Sequence, residues 1–132
     1  MRTKINYKEI KDYVAAQLTD KPDGTYALES GMEVDFSGQR FYQVSFETTE
    51  NRKEMDAARF NKTVESLKEL TGSEVYLGKF DNECELSFAV KSKQIAMKIA
   101  KQFNQHSIWD WKHSALILNP QFNSGTNQIY NY

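Results

Sequence analysis

From Glu83 to Val90 every second side chain is apolar: Cys84, Leu86, Phe88 and Val90 alternate with Glu83, Glu85, Ser87 and Ala89. Successive side chains of a strand point to opposite faces, so this period of two requires a sheet with one apolar and one polar face. Tyr42, Val44 and Phe46 alternate with Gln43, Ser45 and Glu47 in the same way, as do Met32, Val34 and Phe36 with Glu33 and Asp35. Tyr26 and Leu28 begin the series, and Val75 to Phe80 forms a hairpin with the first segment around Asp81-Asn82. Ser107 to Trp111 and Ala115 to Leu118 read as a last, short hairpin. A sheet that is apolar on one side is antiparallel or mixed, and it needs a second layer to cover that side.

Three segments switch to helical spacing and supply the cover. Tyr7, Ile10, Val14 and Leu18 form one stripe, with Lys8, Lys11, Asp12 and Gln17 placed mostly opposite. Asn6-Tyr7-Lys8-Glu9 matches a capping box at its start. A second helix is expected from near Asn51, where Asn51-Arg52-Lys53-Glu54 repeats that pattern; Phe60, Val64, Leu67 and Leu70 form its stripe and Gly72 its stop. A third runs from about Ser92 to Gln105, with Ile95, Ala96, Ile99, Ala100 and Phe103 on one face. Phe103-Asn104-Gln105 then reads as a connector, Asn104 taking the left-handed conformation and Gln105 bonding back to free carbonyls or to the next strand.

The expected fold is α+β, with a single antiparallel or mixed sheet of about seven strands and three helices on one face, in the order α-βββ-α-ββ-α-ββ. A partial internal repeat supports that order: Glu33-Val34-Asp35-Phe36 with Val44-Ser45-Phe46 recurs as Glu74-Val75-Tyr76-Leu77 with Leu86-Ser87-Phe88. The 132 residues suit one domain, assigned to 1–118, followed by an Asn- and Gln-rich tail, 119–132. That tail is a loop or frayed end unless Phe122, Ile129 and Tyr130 dock.

Catalytic chemistry finds little support. His106 and His113 flank Trp109-Asp110-Trp111, but four positions along a strand and a turn separate them too widely for a compact site. Zinc needs three or four ligands, and the one cysteine, Cys84, sits inside an apolar alternation with no adjacent cation to activate it. Neither a nucleophile elbow nor a glycine-rich phosphate loop occurs. The expectation is a protein that is not an enzyme, with no catalytic residue, no metal site and no cofactor. A single cysteine and the lack of an apolar leader or membrane-length apolar run fit a cytoplasmic protein.

Charge is more informative by segment than in total. The net −1 resolves into +2 over residues 1–19, −7 over 20–85 and +4 over 86–132. Glu29, Glu33, Asp35, Glu47, Glu83 and Glu85 all occupy polar-face positions of expected strands. Strands pairing in one sheet would make a carboxylate face that repels nucleic acid and attracts a basic protein surface. Glu33, Asp35, Glu47, Glu83 and Glu85 are therefore the candidate partner contacts. The alternative is a nucleic-acid-binding surface built from Lys91, Lys93, Lys98 and Lys101 with Trp109 and Trp111. The two tryptophans share one strand face, where they either cap the core beside Phe103 or anchor a partner.

Ala96 to Trp111 contains Ala96, Ala100, Phe103-Asn104-Gln105 and Ser107-Ile108-Trp109-Asp110. With Tyr42-Gln43-Val44-Ser45-Phe46, Val75-Tyr76-Leu77-Gly78 and Glu85-Leu86-Ser87-Phe88, this stretch resembles small accessory proteins carried by phages, plasmids and integrative elements of bacteria. The resemblance spans about residues 24–125 and includes no catalytic motif. It implies a protein that binds and blocks a host defence protein, such as a CRISPR effector or restriction nuclease, in the bacterial cytoplasm. It also implies that an acidic surface can imitate DNA, although a net charge of −1 is far from that of whole-protein mimics.

Overall fold

The computed structural model describes residues 6–48 and 55–123. Its elements are α1 (Tyr7–Gln17), β1 (Gly24–Ala27), β2 (Glu33–Val34), β3 (Tyr42–Ser45), α2 (Ala57–Thr71), β4 (Tyr76–Phe80), β5 (Glu83–Val90), α3 (Lys93–Gln102), β6 (Ser107–Asp110) and β7 (Ala115–Leu118). The strands form one antiparallel sheet in the order β2-β1-β4-β5-β3-β6-β7. The α+β class and the element order follow the expectation, and the sheet is wholly antiparallel.

Cross-strand partners share a face. Tyr26 lies opposite Leu77 and Leu77 opposite Leu86; Val44 lies opposite Phe88, Tyr42 opposite Val90, and Ile108 opposite Ile117. This face meets Tyr7, Val14 and Leu18 of the α1 segment, Phe60, Val64 and Leu67 of α2, and Ala96, Ile99 and Ala100 of α3 in one buried core. Phe46, just past β3, packs its ring 5.3 Å from Phe60, 5.7 Å from Phe103 and 6.4 Å from Phe88.

Local chemistry sets the helix ends. Asn6 accepts the Glu9 N–H and Ser92 the Ile95 N–H, as N-caps do. The second helix starts at Ala57, capped by Asp56, and the Asn51–Glu54 capping box lies outside the described residues. It stops at Gly72 with φ 67°, a conformation that an L side chain adopts at a cost. Nothing stands within 4 Å of an added Cβ there, so Gly72→Ala isolates the backbone term. A loss of about 1 kcal/mol is expected. The urea midpoint should fall with the slope unchanged.

The connector reads as expected. Asn104 has φ 49°, and the buried Gln105 donates its side-chain N–H to the carbonyls of Glu47 (3.0 Å) and Phe103 (3.2 Å). The first part of the tail docks there: Asn119 bonds the carbonyls of Ala100 and Gln105, Asn123 bonds Asn104 both ways, and Phe122 packs 5.4 Å from His106. Ile129 and Tyr130 lie outside the described residues.

The first strands depart from expectation. β2 is two residues long and pairs only with β1, while β3 lies between β5 and β6. β2 and β3 therefore form no hairpin, and the proposed repeat has no structural counterpart in them. Met32 is exposed, and Val34 lies opposite Thr25 on the face without helices. The reason is the 35–41 connection, in which Asp35 accepts the Ser37 N–H and hydroxyl and turns the chain away from the β2 direction.

Candidate functional site

The sheet's second face carries no helix among the described residues. Its middle is a polar stripe: Gln43 donates to the Ser87 hydroxyl (2.7 Å), and the Ser45 hydroxyl donates to the Leu86 carbonyl (2.8 Å). Toward β6 and β7 the face becomes aromatic. The 35–41 connection lies over it, tied by the Gly38 N–H to the Trp111 carbonyl and the Trp111 N–H to the Phe41 carbonyl. Phe36 thereby packs 4.7 Å from Phe41 and edge-on, at 5.6 Å, against both Tyr76 and Trp111. Trp109 stands edge-on to Trp111 at 6.5 Å. The Trp111 indole N–H donates to Gln43 (2.9 Å), which holds the ring in place.

This places both tryptophans. Trp109 lies opposite Gln43 and Leu116, while Ile108 faces the helices, so Trp109 belongs to the open face and not to the core beside Phe103. Leu116 and Leu118 continue the patch with 57% and 63% exposure. Cations border it: Lys91 lies 5.9 Å over the Phe41 ring, and Arg40 and Lys112 are exposed nearby in sequence. Lys98 and Lys101 lie on the solvent side of α3, in the helix layer, with the sheet between them and the tryptophans. The expected lysine–tryptophan surface is thus split, and only Lys91 joins the aromatics.

The five acidic candidates do not form one face. Glu83 and Glu85 lie on the open face, opposite Phe80 and Gly78. Glu33 lies opposite Tyr26, on the helix-bearing face, and β2 is three strand spacings from β5, about 14 Å. Asp35 organises its own turn, and its bonds from the Ser37 hydroxyl and N–H hold its carboxyl below the ordinary range. Glu47 corrects the expectation most sharply, because it is 0% exposed. Its N–H turns back onto the Ser45 hydroxyl, which directs the side chain inward, where one oxygen meets Lys11 at 2.6 Å and the other accepts the Leu86 N–H. Lys11 carried the signal: it falls between Tyr7 and Val14 on the buried stripe of α1, although its charge suggested the outer side.

Of the His106, Asp110 and His113 set, the β6–β7 turn brings two together. His113 Nδ1 lies 2.8 Å from Asp110, whose other oxygen accepts the N–H groups of Lys112 and His113 and so caps the β6–β7 turn. These bonds, the His113 side chain foremost, hold the Asp110 carboxyl below its ordinary range. A lowered folded-state value means that the stabilisation is present above the unfolded carboxylate pKa, about 3.9, and is lost as pH falls through the folded value. In a carboxyl NMR titration, His113→Ala should move the Asp110 midpoint upward. An unmoved midpoint would refute that cause. His106 sits at the other end of β6, beside the Ser107 hydroxyl and the Phe122 ring.

Burial pushes the Cys84 thiol above its ordinary range, which Lys11 and Lys79 only partly offset. Among the described residues no group of three or more His, Cys, Asp or Glu is placed to hold a metal, and no helix is long and apolar enough to cross a membrane. No family model matches the chain, and no curated protein or solved structure is detectably similar to it.

Proposed function

We propose that this chain is a non-catalytic protein-binding module that engages its partner through the aromatic end of the open sheet face. The observation that carries the reading is Trp109, Leu116 and Leu118 standing together on a face that no helix covers among the described residues, with cations at its border. Tryptophan is enriched among interface hot spots and the exposed Leu116 and Leu118 extend an apolar patch beside it, whereas a sheet face that only meets water needs no such residues. The sequence resemblance to mobile-element accessory proteins extends the proposal to its target, a bacterial defence nuclease that the bound protein blocks. Glu83 and Glu85 lie toward the far end of the same face and are kept as proposed electrostatic contacts, while Glu47 is withdrawn from the contact set.

A pull-down from a bacterial host with active defence systems tests this. The wild type should retain a stoichiometric partner, Trp109→Ala with Leu116→Ser should lose it, and Lys98→Glu with Lys101→Glu should keep it. Retention by the Trp109/Leu116 variant rejects the surface. Adding Glu83→Lys with Glu85→Lys separates the aromatic end from the acidic end. A gel shift at low salt addresses the nucleic-acid alternative, since tight retention of labelled DNA or RNA would favour it.

A further inference from the structure

The two edges of the sheet are built differently. β2 closes one edge with two residues, Glu33 and Val34, a short and charged edge of the kind that resists further pairing. β7 ends the other with Ala115-Leu116-Ile117-Leu118, which has neither charge nor proline. The Asn119 N–H bonds the His106 carbonyl at 2.9 Å, so the antiparallel alternation turns Ile117 and Asn119 toward β6 and the backbone groups of Leu116 and Leu118 outward. Those outward N–H and C=O groups find no partner among the described residues.

From this edge we infer that β7 accepts an extended, acidic segment of a partner protein as an eighth strand. The inference rests on the protein-binding reading above and names the chemistry of the partner. Backbone pairing supplies the affinity, and alternate apolar side chains of the segment meet Leu116, Leu118 and, one strand further in, Trp109. Charge selects the segment. Lys112 stands exposed in the turn before β7, His113 beside it is paired with Asp110, and residues 111–123 contain no carboxylate. The carboxylate of β6, Asp110, is engaged in its own turn. A second copy of this chain fits poorly, because its own β7 end, residues 111–123, brings no carboxylate to Lys112.

The tryptophans of this chain are Trp109 and Trp111, so fluorescence excited selectively at tryptophan reports on this end of the sheet. The test uses the full chain with two libraries of ten-residue peptides, one alternating Val or Ile with Glu and the other alternating them with Lys. Members of the acidic library should shift the emission, weaken with added salt and bind at least tenfold more tightly than their lysine counterparts. Leu116→Pro removes an outward N–H while leaving the β6 ladder intact, and it should weaken binding at least tenfold. Leu116→Glu, which keeps the backbone donor but sets a carboxylate on the edge's apolar side to repel the acidic segment, should weaken it as well and stands in if the proline variant misfolds. No binding from any acidic peptide, equal binding by the lysine library, or undiminished binding by both variants overturns the inference. So does slow hydrogen exchange of the Leu116 and Leu118 amides in the free protein: a concentration-dependent protection identifies a second copy, and a concentration-independent one identifies this chain's own residues. If the peptides fail while the Trp109/Leu116 variant still loses its cellular partner, the edge inference falls and the protein-binding reading stands.

Discussion

Glu47→Ala should cost about 3–5 kcal/mol of folding stability, the range for removing one partner of a buried ion pair. The substitution leaves the Lys11 ammonium, on a side chain only 14% exposed, without its carboxylate, and the Leu86 N–H without its acceptor. Both groups then bear a desolvation cost that folding no longer offsets. Glu47→Gln retains an acceptor for Leu86 but strands the charge, so it should lie between alanine and wild type. Glu47→Gln combined with Lys11→Met removes the charge from both sides and should recover most of the loss. Urea unfolding of the four proteins measures this. An alanine variant within 1 kcal/mol of wild type would mean that the pair contributes little, and a double variant no better than either single would refute the stranded-charge explanation.

Phe46→Ala should be of similar size, about 3–5 kcal/mol, the cost of truncating a fully buried phenylalanine. Its ring is where the layers meet: it touches Phe60 of α2, Phe88 of β5 and Phe103 at the end of α3. No single neighbour can move into the vacated space without leaving another contact, so the cavity persists. Against a total stability of about 5–15 kcal/mol for a domain of this kind, either substitution brings the protein close to unfolding at moderate temperature. The losses should not add in the double variant, since Phe46 and Glu47 are adjacent and both act on the β5 segment. Loss of near-ultraviolet circular dichroism together with a lower urea midpoint is the expected signature for Phe46→Ala. An unchanged midpoint would show that this junction is not where the layers are held.

The alternations at Glu83–Val90 and Tyr42–Phe46 were legible because a strand's side-chain period holds whatever its neighbours are. Helix starts at Asn6 and Ser92 and the stop at Gly72 were legible for a similar reason, since each acts within one turn. Glu47 was not legible as a buried residue. The alternation that made it look exposed ends at Ser45, and what turns it inward is Lys11, 36 positions away. The carboxylate face failed on the same ground. Glu33 and Glu85 each sit at an alternating position, but the two-residue β2 pairs with β1 in a register that puts Glu33 on the helix side. Trp109 was assigned to the right strand face, yet which face is covered depended on where α3 packs.

The sequence by itself therefore determined the kind and order of the elements and the apolar side of the helices and of β3 and β5. Those properties come from backbone geometry and hydrophobic burial over a few residues, and every copy of the pattern carries them. Only the tertiary structure decided the strand order, with β3 between β5 and β6, the short charged strand β2 at one edge and β7 at the other. These follow from pairings between residues far apart in the chain, chosen by which combination buries the most apolar surface and leaves the fewest polar groups unpaired. The candidate site belongs to that second category, because Phe36, Tyr76 and Trp111 meet only after three separate parts of the chain have paired.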